Sequence, residues 1–236
     1  MTGLTSAALT HPGSVRPRNE DSMVERADIG LWAVADGAGG HGAGDVASQA
    51  VAGALNELPP GLPPSELLAQ VRLRIADVHA ELQRIGAESG QGRICATTVV
   101  VLLARGGHFA CLWAGDSRIY RMRDGVLQRL THDHSVVQEL VDQGLLAPER
   151  AESHPQANVI TRAVGADGEL TLDKVSDRIH PGDTFLLCSD GLFKAVEETE
   201  IATLLAGGEG PAGLVEAALA HGARDNVTAV VVRAEA

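Results

Sequence analysis

Five short apolar runs rich in β-branched residues, at positions 31–35, 97–103, 109–113, 184–188 and 227–232, are bounded by Gly and Asp, the pattern of buried strands. Two helical stretches follow one another between the first pair of runs, at 45–58 and 65–88, separated by Pro59, Pro60, Pro63 and Pro64. Further helices fit 136–143, 198–205 and 212–220. The segment 117–130, SRIYRMRDGVLQRL, is a hairpin pattern with Asp124 and Gly125 at its turn, so antiparallel pairing is expected.

The first run ends in WAVADGAGGHGAG, where Gly37, Gly39 and Gly42 match the G-x-G-x-x-G of a dinucleotide-binding turn. That fold needs a strand, one helix and then a parallel strand, with an acidic residue about 20 residues on. A second helix comes here instead, which argues against a nucleotide. The glycines better suit a tight turn that brings an oxygen-bound ligand close to the main chain.

At 236 residues the chain suits one domain. Aromatics make up only 3%, so the core must be built from Ala, Val, Leu and Ile, and base-stacking platforms are not expected. A formal net charge of -12 disfavours binding to nucleic acid or to an anionic membrane. No secretory signal is visible at the start, and no apolar run approaches the roughly 20 residues that span a bilayer. Cys95, Cys111 and Cys188 sit in or beside strand-like runs, as buried reduced thiols do, so a cytoplasmic protein is expected.

Four more segments place an acid beside a strand-like run and next to Gly or Asn: RPRNED at 16–21, AGDSR at 114–118, LLCSDGL at 186–192 and RDNVTAV at 224–230. Any one of them could be an ordinary Asp turn. So many at the ends of buried strands describe an oxygen-rich centre for hard divalent cations such as Mg²⁺ or Mn²⁺.

With VRPRNED, DGAGGH, LWAGDSRIY, LTHDHS, ITRAVG, LCSDGL and RDNVTAV in this order, the chain resembles the metal-dependent Ser/Thr protein phosphatases of the PPM (type 2C) family, in their bacterial stand-alone form. The resemblance implies an α+β fold, a four-layer α/β/β/α sandwich of two antiparallel sheets flanked by helix pairs. It implies a single catalytic domain over 1–236 with a flap at about 136–168 that varies between members and borders the cleft.

It further implies hydrolysis of phosphoserine and phosphothreonine by a hydroxide bridging two tightly held Mn²⁺ or Mg²⁺ ions, with a third, looser ion in bacterial members. Asp36 resembles the bridging carboxylate and Gly37 offers its carbonyl. Asp190, Asp225 and Glu20 resemble further ligands, and Asp116 a ligand of the third ion. Arg16 is similar to the arginine that grips the substrate phosphate, and with Asp36 is expected to be catalytic. Asp21 and Asn226 are expected to support the ligands. The implied substrate is a phosphorylated protein, a bacterial Ser/Thr kinase or its target in a signalling or secretion-system circuit, and a monomer is expected.

Ala38 stands where many eukaryotic members carry a His thought to protonate the leaving group, and His41, three residues on, is not its equivalent. His41 is expected to order the glycine turn, and His132 and His134 to organise their loop. Two alternatives stay open: a catalytically dead binding module, against which no metal carboxylate is missing, and a hydrolase of small phosphate esters or nucleotides.

Overall fold

The computed structural model describes residues 3–39, 43–88 and 94–235. In chain order these form β1 (Leu4–His11), β2 (Asp21–Arg26), β3 (Leu31–Ala38), α1 (Ala43–Asn56), α2 (Pro64–Glu88), β4 (Ala96–Thr97), β5 (Val99–Arg105) and β6 (His108–Ala114). There follow β7 (Arg118–Arg123), β8 (Val126–Arg129), α3 (Val136–Asp142), β9 (Asp173–Arg178), β10 (Thr184–Cys188), α4 (Asp190–Phe193), α5 (Glu198–Ala206), α6 (Pro211–Ala220) and β11 (Val227–Ala234).

The strands make two sheets, ordered β1-β11-β10-β7-β8 and β2-β3-β5-β6-β9, with β4 paired to β3. Every pairing is antiparallel. Three apolar layers hold them together. Trp32, Val100, Phe109, Phe185, Leu187 and Val230 fill the space between the sheets, with the Phe109 and Phe185 rings edge-on at 4.9 Å. Val51, Leu55, Val71 and Ile75 of α1 and α2 cover the outer face of one sheet. Leu192, Ile201, Leu205 and Leu214 of α4 to α6 cover the other. The expected α/β/β/α sandwich is therefore the fold, with aliphatic residues throughout and four of the few aromatics, Trp32, Phe109, Trp113 and Phe185, gathered between the sheets.

Because β5 runs antiparallel to β3, the parallel crossover of a dinucleotide fold is absent. Asp124 and Gly125 both have positive φ, 52° and 77°, as the two-residue hairpin turn between β7 and β8 requires. The run expected at 97–103 is broken at Thr98, whose hydroxyl accepts the Asp36 N–H (3.1 Å) while its own N–H donates to the Asp36 carbonyl (2.9 Å). Three strands carried no apolar run to announce them. β1 is an edge strand alternating between half-buried and exposed residues, β2 opens on a carboxylate, and β9, DKVSDR, lies mostly exposed at the other sheet's edge.

All three cysteines are free and buried. Burial pushes the Cys111 and Cys188 thiols far above their ordinary range, which suits packing rather than nucleophilic chemistry. Among the described residues no helix is long and apolar enough to cross a membrane.

Candidate metal centre

Antiparallel alternation decides where the acids go. The C-terminal ends of β3, β6 and β10 and the N-terminal ends of β2, β7 and β11 come out at one edge of the sandwich, since Asp21 faces Asp36, and Cys188 faces both Ala229 and Arg118. Glu20, Asp36, Asp116, Asp190 and Asp225 line a single cleft there of about 670 Å³, together with Arg16, Gly37 and Asn226. Segments separated by most of the chain thus meet at one cleft.

Glycine is needed at several points of this edge, Gly37 and Gly115 among them. A Cβ on Gly37 would strike the carbonyls of Gly44 and Glu20, so only glycine lets the start of α1 sit against β3. Gly115, at φ 108°, turns the chain out of β6 into Asp116, and a Cβ there would meet Thr98 at 2.6 Å.

Asp21 and Asn226 serve the cleft from beneath. Asp21 is buried, its Oδ2 accepting from Ser189 Oγ (2.8 Å) and Thr228 Oγ1 (2.6 Å), while its Oδ1 has no partner. Asn226 Oδ1 accepts the Glu20 N–H (2.8 Å), and its amide donates to the carbonyls of Pro12 (3.0 Å) and Arg18 (2.9 Å). It pins the loop that carries Arg16 and Glu20 to the start of β11.

The cleft holds more negative charge than its own cations offset. Burial, then Asp21, Asp190, Asp116 and Asp225 in turn, pushes the Asp36 carboxyl well above the usual range. Burial also pushes Asp21 and Asp116 up to about 7, with neighbouring acids adding to it, and raises Glu20. Arg18, which lines the cleft, partly offsets the rise of Glu20, and two further cations pair directly with acids. Arg16 grips Asp225 with a fork of 2.8 and 2.7 Å, and Lys194 donates to Asp190 at 2.6 Å. Glu20, Asp21, Asp36 and Asp116 have no such ion-pair partner among the described residues.

With Asp225 and Asp190 engaged this way, no three acids among the described residues are already gathered around one point. The donor set nevertheless suits hard divalent cations: it is all oxygen and strongly negative, and beneath it lies the buried Asp21, whose Oδ1 has no partner.

Lys194 escaped the sequence reading, as did Asn158, which lines the cleft and accepts from Lys194 at 2.7 Å. The one available signal was spacing, since Lys194 lies four residues after Asp190 and the short helix α4 brings the two together. His41 and Gly42 lie outside the described residues. His134 is buried, stacks on Trp113 and accepts the Gly115 N–H on Nδ1 (3.1 Å). His132 pairs with Asp142 at 2.7 Å, and its carbonyl accepts from Trp113. Both organise their loop, as expected.

The family model for protein phosphatase 2C matches residues 17–208. The serine/threonine protein phosphatase PstP of Mycobacterium tuberculosis is 42% identical over 236 residues, covering 97% of this chain but only 44% of PstP, so the chain spans less than half of that relative. Among solved structures, PppA, described as a key regulatory component of the T6SS in Pseudomonas aeruginosa, superposes with a TM-score of 0.91 at 41% identity, covering 98% of this chain and 97% of PppA. The catalytic domain of PstP in complex with two manganese ions does so with a TM-score of 0.83 at 36% identity, over 99% of each chain. This chain belongs to the protein phosphatase 2C family.

Proposed function

We propose that the cleft hydrolyses phosphoserine and phosphothreonine in proteins with the help of Mn²⁺ or Mg²⁺, opposing a bacterial Ser/Thr kinase. The observation that carries this is the convergence of Glu20, Asp36, Asp116, Asp190 and Asp225 with Arg16 on one cleft. The manganese in the PstP catalytic domain and the secretion-system description of PppA support the metal and the setting.

Asp36, Asp190, Asp225, Glu20 and the Gly37 carbonyl would hold two ions, and Asp116 a third. When bound, such ions supply the positive charge that lets a phosphate dianion approach and the acidity that makes water a nucleophile. The chain's own part is to place and hold. Arg16 already presents its planar fork to two carboxylate oxygens, the geometry it would present to two phosphate oxygens. Asn226 fixes the backbone between Arg16 and Glu20, which sets the spacing of phosphate grip and ligand.

The 136–168 segment acts in this proposal as a substrate-selecting flap on a single catalytic domain. It leaves through α3, turns at Pro148–Arg150 and returns where Ile160 bridges Ser135, so that Asn158 and Ile160 reach the cleft wall. Assaying phosphothreonine and phosphotyrosine peptides with Mn²⁺ and then with chelator tests the whole proposal. Metal-dependent cleavage of the former supports it; unchanged rates in chelator would sink it.

Arg16→Ala removes charged hydrogen bonds worth about 1.5–3 kcal/mol each, so kcat/KM on a phosphothreonine peptide is expected to fall roughly tenfold to a hundredfold. Metal affinity by calorimetry is not expected to fall with it, because the change frees Asp225. Asp116→Ala is expected to retain two tight ions yet require more free Mn²⁺ for turnover, which a metal titration of the rate checks. Loss of both tight ions in that variant would show that Asp116 belongs to the main pair.

Ala38 lies in the cleft and offers no proton. The rate is therefore expected to depend steeply on leaving-group pKa, with aryl phosphates cleaved faster than alkyl ones. His41→Ala is expected to leave that slope unchanged when chemistry limits turnover. A slope that steepens in His41→Ala would make His41 the acid.

A further inference from the structure

A second groove of about 480 Å³ adjoins the cleft, and Arg16, Asn158 and Asp225 line both. Its floor and far wall come from the end of α4 and from the loop between α6 and β11, bringing Lys194, His221 and Arg224 to its surface. Arg16 and Lys194 are each paired with an acid, so the uncompensated positive charge at this surface is that of Arg224.

The acids beside it are already engaged: Asp225 by the Arg16 fork at 2.8 and 2.7 Å, and Asp190 by Lys194 at 2.6 Å. Glu200 holds His221 at 3.0 Å. Arg224 is exposed and has no ion-pair partner among the described residues. Screening confines a charge's reach to about 8 Å at physiological ionic strength, so a bound peptide meets the local charge of Arg224 rather than the net charge of the protein. Asn158 couples the groove to the flap, since it accepts from Lys194 while facing the cleft.

We infer that this groove takes an Asp or Glu side chain flanking the phosphorylated residue, so that acid-flanked phosphopeptides are the preferred substrates. The inference presupposes phosphatase activity at the adjoining cleft. A groove of this size lies within the usual range for ligand sites, roughly 300–1,000 Å³. Exposed charge pairs act mainly on encounter and on weak binding, so the preference appears in kcat/KM more than in kcat.

The test measures kcat/KM with Mn²⁺ for a phosphothreonine peptide carrying Ala at all flanking positions and for variants with Glu placed one to four residues to either side. The Glu peptides that reach the groove are expected to be better substrates by roughly threefold to tenfold. That ratio is expected to shrink to near one in Arg224→Gln, to persist in Arg224→Lys, and to diminish as salt is raised several-fold. Each variant's rate on p-nitrophenyl phosphate, too short to reach the groove while its phosphate sits in the cleft, corrects for damage to the cleft. Equal kcat/KM for Ala and Glu peptides, or a preference that survives Arg224→Gln and high salt, overturns the inference while leaving the phosphatase intact. A wild-type protein that cleaves neither peptides nor p-nitrophenyl phosphate overturns both.

Discussion

Asp36→Asn is expected to lower phosphothreonine-peptide hydrolysis by at least about 100-fold at saturating Mn²⁺, while the protein stays folded. Loss of one anionic donor weakens the hold on both proposed ions and the acidification of water between them, and each 1.36 kcal/mol lost from transition-state stabilisation is about tenfold in rate. The structure explains why the fold survives. Asp36 sits directly across β2 and β3 from Asp21, with Asp190, Asp116 and Asp225 also raising its pKa, so neutralising it relieves repulsion. In chelator the Asn variant is therefore expected to melt at or above the wild-type temperature. Asp190→Asn is expected to lose activity similarly, but it also strips Lys194 of its partner, a partly buried cation held at 2.6 Å. Wild-type activity in metal-free Asp36→Asn would end the metal-phosphatase proposal.

The metal-free protein is expected to be more stable near pH 5.5 than at pH 8. Asp21 and Asp116 have folded pKa values pushed up to about 7 from 3.8, chiefly by burial. Between those values the folded state binds more protons than the unfolded state. Stability is therefore lost as pH rises through that window, by about 1.4 kcal/mol per pH unit per group, and flattens above it. Asp36, raised well above 3.8, adds in the same direction. His134 opposes them: burial lowers its pKa below 6.5, so protonating it on the way down costs stability. One imidazole against three carboxyls leaves a net gain of the order of a few kcal/mol on acidification.

Mn²⁺ should reverse the trend, since it competes with those protons. Its stabilisation, about 2.7 kcal/mol for one site at a hundredfold excess over Kd, is expected to be largest at pH 8 and to fade towards pH 5.5. Melting curves at both pH values, with Mn²⁺ and with chelator, decide the matter. A chelated protein that melts higher at pH 8 would show that the cleft acids are not the stressed groups.

Local chemistry made part of this molecule legible from the chain alone. The apolar runs of β3, β5, β6, β10 and β11, the prolines between α1 and α2, and the Asp124–Gly125 turn each depend on neighbours a few residues away, and each formed where expected, save that the 97–103 run breaks at Thr98. So did the acids, because a carboxylate beside a buried strand is visible in sequence wherever the strand is. β1, β2 and β9 were silent because their pairing comes from the sheet edge they join, not from their own hydrophobicity.

Only the tertiary structure decided what those acids do to one another. Register puts Asp21 opposite Asp36, but packing turns Asp21 inward to Thr228, 207 residues away, and leaves Asp36 facing the cleft. Nothing in NED or ADG distinguishes the two. Lys194 and Arg16 became counter-ions to Asp190 and Asp225, and the groove that carries Arg224 arose beside them, because a helix and two loops meet at the edge where antiparallel strands end. Residue type and short-range pattern determined which groups could bind a hard cation. Which of them are free to do so depends on distance and burial, quantities that exist only once segments far apart in the chain have packed.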